Sequence, residues 1–169
     1  AIWNDALLQQ VFDVASTEQR IKFSIAREGE GVQRYHGLSV WTPNINIFRD
    51  PRWGRTPETY GEDPFLTGEI GTAFVLGLQG DDPRYLKVVS TPKHFAVNNE
   101  EHNRFECDPQ VSEKQLREYY LAPYEALVKR GKAASIMSAY NAINGTPCTC
   151  NPWLLTKVLR EEWGFDGYV

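Results

Sequence analysis

Helix-like and strand-like stretches alternate along this chain, and the strand-like ones begin about 35 to 50 residues apart. Residues 4–27 carry Leu7, Leu8, Val11, Val14, Ile21 and Ile25 near helical spacing, behind Asn4 as an N-cap. Residues 38–48, "LSVWTPNINIF", read as a strand broken by Pro43, and 64–78 as a helix behind Asp63-Pro64. "LKVVSTPKHF" from Leu86 is β-rich. The stretch "VSEKQLREYYLAPYEALVKRG" sets Ser112 and Gln115 at capping-box spacing and ends on Gly131. "AASIMSAY" is the next strand, "NPWLLTKVLREEWG" a helix with an Asn cap and Pro at its first position, and "GYV" the start of another strand.

An α, β, α, β, α, β, α, β order with such long intervals implies a parallel sheet with helical crossovers, because parallel neighbours cannot be joined by a tight turn. The expected fold class is α/β, part of a (β/α)8 TIM-like barrel. Eight units need about 250 residues, so 1–169 is expected to be a partial barrel, truncated at both ends and without a second domain. A partial barrel leaves strand edges and apolar faces uncovered.

The charges exclude some partners. Eighteen Lys and Arg against 22 Asp and Glu give a net charge of −4, spread along the chain, so no basic patch invites nucleic acid. Mean hydropathy is −0.47 and no apolar run is long enough to insert in a membrane. "AIWNDALLQQ" has neither a basic n-region nor a small-residue cleavage site. Cys107, Cys148 and Cys150 are odd in number, which points to structural or partly paired cysteines. Asn144-Gly145-Thr146 is formally a glycosylation acceptor, and a Gly turn explains it equally well.

Three polar clusters follow strands: Arg49 to Arg55, Lys93-His94, and Tyr140-Asn141. In a parallel barrel all three converge on the face at the strands' C-terminal ends, where sites are built. Taken singly, each has a plainer explanation. Arg49, Arg52 and Arg55 among Asp50, Glu58, Glu62 and Asp63 form a salt-bridge network on that view, and His94 is a satisfied histidine. "HFAVNNEEH" gathers His94, Glu100, Glu101 and His102, but not at zinc-protease spacing, and no metal is expected. There is no phosphate-binding Gly loop and no nucleophile elbow. Cationic and aromatic side chains around a polar pocket suit a ligand rich in hydroxyls, with Lys and Arg on its oxygens and aromatic faces over its C–H surface.

"NINIFRDPRWGRTPETYGEDP", "KHFAVNNEEHNR", "SIMSAYNAINGTP" and "LLTKVLREEWGFDGYV" together resemble the first, barrel-forming domain of glycoside hydrolase family 3, the β-glucosidase and β-xylosidase family, over residues 38–169. The resemblance implies a retaining exo-acting β-glycosidase acting on oligosaccharides or glycosides, without a cofactor. It implies substrate contacts from Arg55, Lys93, His94, Arg104, Met137 and Tyr140. It also implies that no catalytic residue lies within this chain: the nucleophilic Asp belongs to an S-D pair just past Val169, and the acid to a later loop or domain. The N-acetylglucosaminidase branch of the family is disfavoured, because its K-H-F-P-G-H-G loop is absent. A non-catalytic sugar-binding or structural fragment is the alternative. A periplasmic or secreted location is expected over a cytoplasmic one.

Overall fold

In a computed structural model, which describes residues 3–169, four extended segments lie side by side, all parallel and in sequence order. β1 (Ser39–Val40) pairs with β2 (Val89–Ser90), Ser39 opposite Val89. Asn44 then bridges to Lys93 at the start of β3 (Lys93–Phe95). β3 pairs with β4 (Met137–Ser138), Lys93 opposite Met137, and Ser135 bridges to Tyr168. Helical connections separate the staves, so the fold is α/β, an arc of a (β/α) barrel. The ladders are far shorter than the predicted strands. Pro43 and Pro92 have no N–H to donate, and the register shifts between Lys93 and Phe95. Isolated bonds such as Ile45 N–H to Lys93 O at 2.9 Å keep the staves together beyond the ladders.

The helix α1 (Asp5–Glu28) starts where Asn4 Oδ1 accepts the Leu7 N–H at 2.9 Å. Its apolar row mostly faces outward: Leu8 is buried, but Leu7, Val11, Val14, Ile21 and Ile25 are exposed. The side that packs carries Phe12, whose ring lies 3.6 Å from Phe74, and the fully buried Ser16. At the crossing with α2 (Pro64–Gln79) a Cβ on Gly77 would collide with the carbonyl oxygen of Gln9 and sit 2.9 Å from Phe12 Cβ, so only glycine admits α1 this close. α2 begins behind Asp63-Pro64, as expected, with Asp63 Oδ1 accepting the Leu66 N–H, and is buried on nearly every side between α1 and the helix over 122–129.

The predicted helix over 111–131 is three pieces. Ser112 and Gln115 form the capping box at the head of α3 (Glu113–Gln115), a π turn spans Leu116–Tyr120, and α4 (Ala122–Lys129) follows. The widening precedes Pro123, which cannot donate to Tyr119 and whose ring would press on that carbonyl; the Leu121 N–H reaches Leu116 O instead. A second π-helix, Trp153–Glu162, begins behind Asn151, whose Oδ1 accepts the Leu154 N–H. The main core lies between β3, β4 and these two helical segments. In it Phe95 sits 5.0 Å from Tyr124 and 5.9 Å from Trp163, both contacts between ring centroids.

β5 (Ala142–Ile143) and β6 (Thr146–Pro147) form a hairpin around Asn144-Gly145, with φ of 51° and 83°. Both residues are left-handed, the Asn-Gly signature of a two-residue hairpin turn. The Asn144 amide is tied in both directions to the Val111 backbone at 2.8 Å. The triplet is therefore read as a turn. All three cysteines are free: Cys148 is buried, with its thiol pushed up to about 11 by burial, while Cys150 is exposed. Among the described residues no helix is long and apolar enough to cross a membrane.

Candidate functional site

Three chain segments build the site. In the first, Asn44 and Asn46 alternate with Ile45 and Ile47, and all four are buried. The segment then turns through buried Trp53 into a single 3-10 turn, Thr56–Glu58, with Arg55 at its N-terminal boundary. Residues three apart on such a turn share a face, which sets Arg55 against Glu58. The Arg55 Nε lies 2.7 Å from Glu58 Oε1 and its Nη2 2.8 Å from Oε2, a fork-to-fork pair. Asn44 Nδ2 donates to Glu58 Oε2 at 3.3 Å. The Arg55 guanidinium holds the Glu58 carboxyl below the usual range, and Glu58 in turn strengthens the hold of Arg55 on its proton.

The second segment supplies Lys93, His94, Glu101 and Arg104. Arg55 Nη1 lies 3.2 Å from His94 Nε2 and 3.6 Å from Glu101 Oε1, while Glu101 Oε2 lies 3.0 Å from Arg104 Nη1. A continuous chain of opposite charges thus runs Glu58, Arg55, Glu101, Arg104. The third segment supplies Met137, beside Lys93 in register, and Tyr140. The Arg104 guanidinium carbon lies 5.1 Å from the Tyr140 ring centre and 4.9 Å from that of Phe105, and the two rings are 5.0 Å apart. All six residues implied by the sequence resemblance therefore lie on these three segments. Arg55, His94, Arg104 and Tyr140 join one contact network, and Lys93 and Met137 flank it by register.

Lys93 is half-buried, and its pKa is lowered by burial first and by Arg55 second, with Glu58 opposing. His94 is 2% exposed, and burial, then Arg55 and Lys93, brings its pKa down to about 3. The cluster holds three permanent or near-permanent cations, Arg55, Lys93 and Arg104, and two carboxylates already committed to arginines. It is equipped to donate hydrogen bonds to ligand oxygens. It is poorly equipped to attack or protonate a substrate, since both Glu58 oxygens are engaged and its carboxyl is held ionised. Glu100 and His102 go elsewhere: Glu100 Oε1 accepts the His102 N–H at 2.7 Å. Among the described residues no three His, Cys, Asp or Glu side chains come together as a metal site.

The other arginines of the first loop do different jobs. Arg52 closes on Asp50 at the surface with a 2.6 Å contact, and Arg49 lies over the Tyr120 ring at 5.4 Å. A cleft of about 630 Å³ opens beside the network, lined by Arg49, Arg52, Trp53, Asn99, Glu101 and His102, and it meets the network only through Glu101. Sequence reasoning placed Glu101 among metal candidates and passed over Asn46. The signal for Asn46 was present: a polar residue alternating with buried isoleucines in a strand must bond to something.

Residues 33–169 match the family described as glycosyl hydrolase family 3 N terminal domain. The whole chain is 45% identical to a xylan 1,4-β-xylosidase of Xylanibacter ruminicola, covering 20% of that protein. It is 44% identical, over 99% of its length, to an exo-1,4-β-xylosidase of Emericella nidulans, of which it covers 21%. It superposes with a TM-score of 0.84 on β-glucosidase 3B of Thermotoga neapolitana in complex with α-D-glucose, at 43% identity, covering 99% of this chain and 21% of that one. The chain spans about a fifth of the length of the curated relatives it matches.

Proposed function

The chain belongs to glycoside hydrolase family 3, and from that membership we propose that it is part of a longer retaining, exo-acting β-glycosidase that removes terminal β-linked sugars from oligosaccharides or glycosides. The observation that carries the reading is the single network joining side chains from three successive segments, Arg55 from the first, His94 and Arg104 with Lys93 beside them from the second, and Tyr140 from the third. Its chemistry is that of a glycone pocket. Cations donate to hydroxyl oxygens, ion pairs hold the donors still, and Tyr140 offers an aromatic face.

A retaining mechanism needs two carboxyl groups about 5 to 5.5 Å apart, one attacking the anomeric carbon and one protonating the leaving oxygen. With Glu58 and Glu101 committed to arginines, both groups are assigned to residues outside these 169: an Asp after the strand that carries Tyr168, and an acid in a further segment. The exposed row of Leu7, Val11, Val14, Ile21 and Ile25 on α1 supports further barrel units packing there. The xylosidases among the relatives favour a xyloside, and the likeness to the Thermotoga enzyme favours a glucoside as the second reading. The test is hydrolysis of aryl β-xyloside and aryl β-glucoside by the full-length protein. Release from at least one supports the reading. Release from neither, by a folded protein, overturns it and leaves the non-catalytic alternative.

A further inference from the structure

Asn46 is 3% exposed, and its side chain makes four polar contacts, three of them to one residue. Its Oδ1 accepts the backbone N–H of His94 at 2.8 Å, and its Nδ2 donates to the backbone carbonyl of His94 at 2.9 Å. An N–H only donates and a carbonyl only accepts, so these two bonds fix which end of the amide is oxygen. Nδ2 also lies 3.2 Å from the hydroxyl of Tyr124, which is wholly buried. Oδ1 lies 3.0 Å from His94 Nδ1. Since that oxygen can only accept, Nδ1 must carry the proton.

The other side of the ring gives the same answer independently. Arg55 Nη1, 3.2 Å from Nε2, can only donate. A neutral imidazole has one N–H, and both neighbours require it on Nδ1.

We propose that Asn46, held by Tyr124, is a positioning residue of the sugar site that locks His94 as the Nδ1-protonated tautomer, so that the Nε2 lone pair accepts from Arg55 Nη1 and helps fix that donor at the site. Arg55, Lys93 and Arg104 can accept nothing. A proton on His94 Nε2 would therefore face Arg55 Nη1 donor to donor, so the tautomer decides whether that guanidinium can keep its place. The burial and charges that keep the imidazole neutral, Arg55, Lys93 and Arg104 against Glu58 alone, act in the same direction.

The role toward a sugar rests on the glycosidase reading, while the tautomer itself does not. Neutron diffraction from deuterium-exchanged crystals of the full-length protein reads the tautomer without any assay. Deuterium on His94 Nδ1 with none on Nε2 is expected; deuterium on Nε2 overturns the proposal whether or not the protein hydrolyses glycosides. The second measurement uses Asn46→Asp, which keeps an acceptor facing Nδ1 but sets a negative charge beside the ring. That charge favours a second proton, on Nε2, as pH falls. The ratio of variant to wild-type kcat/KM should drop about tenfold or more between roughly pH 7.5 and 5. A ratio constant over that range, from a variant that melts cooperatively, would contradict the positioning role. If the variant does not fold, the neutron map decides.

Discussion

Arg55 and Glu58 meet fork to fork, Nε 2.7 Å from Oε1 and Nη2 2.8 Å from Oε2, so the guanidinium that faces His94 is fixed from behind by a carboxylate three residues on. The remaining nitrogen, Nη1, is the one that reaches into the network.

Removing that brace should damage function more than stability. Glu58→Gln replaces a charged two-point hold with a neutral one, and kcat/KM of the full-length protein should fall about tenfold, near 1.4 kcal/mol. Because the pair is partly exposed, unfolding free energy should change by less than about 1 kcal/mol. The effect acts through Arg55, so in an Arg55→Ala background the same substitution should cost little more. Full additivity in that double-mutant cycle would mean that Glu58 acts by another route.

His94 carries a pH signature with a defined sign. Its ordinary pKa of 6.5 is brought down to about 3 in the folded protein by burial, Arg55 and Lys93. Between those values the unfolded chain binds a proton that the folded one does not, so this contribution is fully present above the unfolded value and is lost as pH falls. The stability advantage of wild type over His94→Gln should therefore shrink from about pH 7 to about pH 4 in denaturant titrations. An advantage that stays constant would mean that the imidazole is charged in the folded state or free to titrate.

The α1–α2 crossing depends on Gly77. A Cβ there would run into the Gln9 carbonyl, which is backbone and cannot rotate away, and into Phe12. Gly77→Ala should destabilise by about 1 to 3 kcal/mol by overpacking, despite the better helix propensity of alanine. A neutral or stabilising result in chemical denaturation would show that α1 does not sit so close.

Thiol reactivity should follow exposure. Cys150 is exposed, whereas Cys148 is buried and its pKa raised to about 11 by that burial. Under native conditions a thiol-specific reagent should label Cys150 rapidly and Cys148 only after denaturation, as read by peptide mass spectrometry. Equal labelling of the two would place Cys148 at the surface.

Local chemistry was the most legible part of the sequence. Asp63-Pro64 and Ser112 with Gln115 announced helix starts that the structure contains, because capping is decided within four residues. Strand lengths were not legible from apolar content, since Pro43 and Pro92 interrupt ladders that the hydrophobic run alone would extend. The spacing of Leu7, Val11 and Val14 gave a helix but not its buried side, which depends on what packs against it. In the site, motif residues were legible one by one. The tie between Arg55 and Glu101 was not, because two residues 46 apart in sequence meet only once the staves align.

On the proposed function, Arg55 and Lys93 grip sugar oxygens at the site. The most direct test is kcat/KM of the full-length protein with Arg55→Ala and with Lys93→Ala, on whichever aryl glycoside the wild type hydrolyses. Loss of a partly buried charged donor predicts a fall of about 30- to 1000-fold, near 2 to 4 kcal/mol, with unchanged circular dichroism. A change of less than about threefold in well-folded variants would contradict the account and leave these residues as structural.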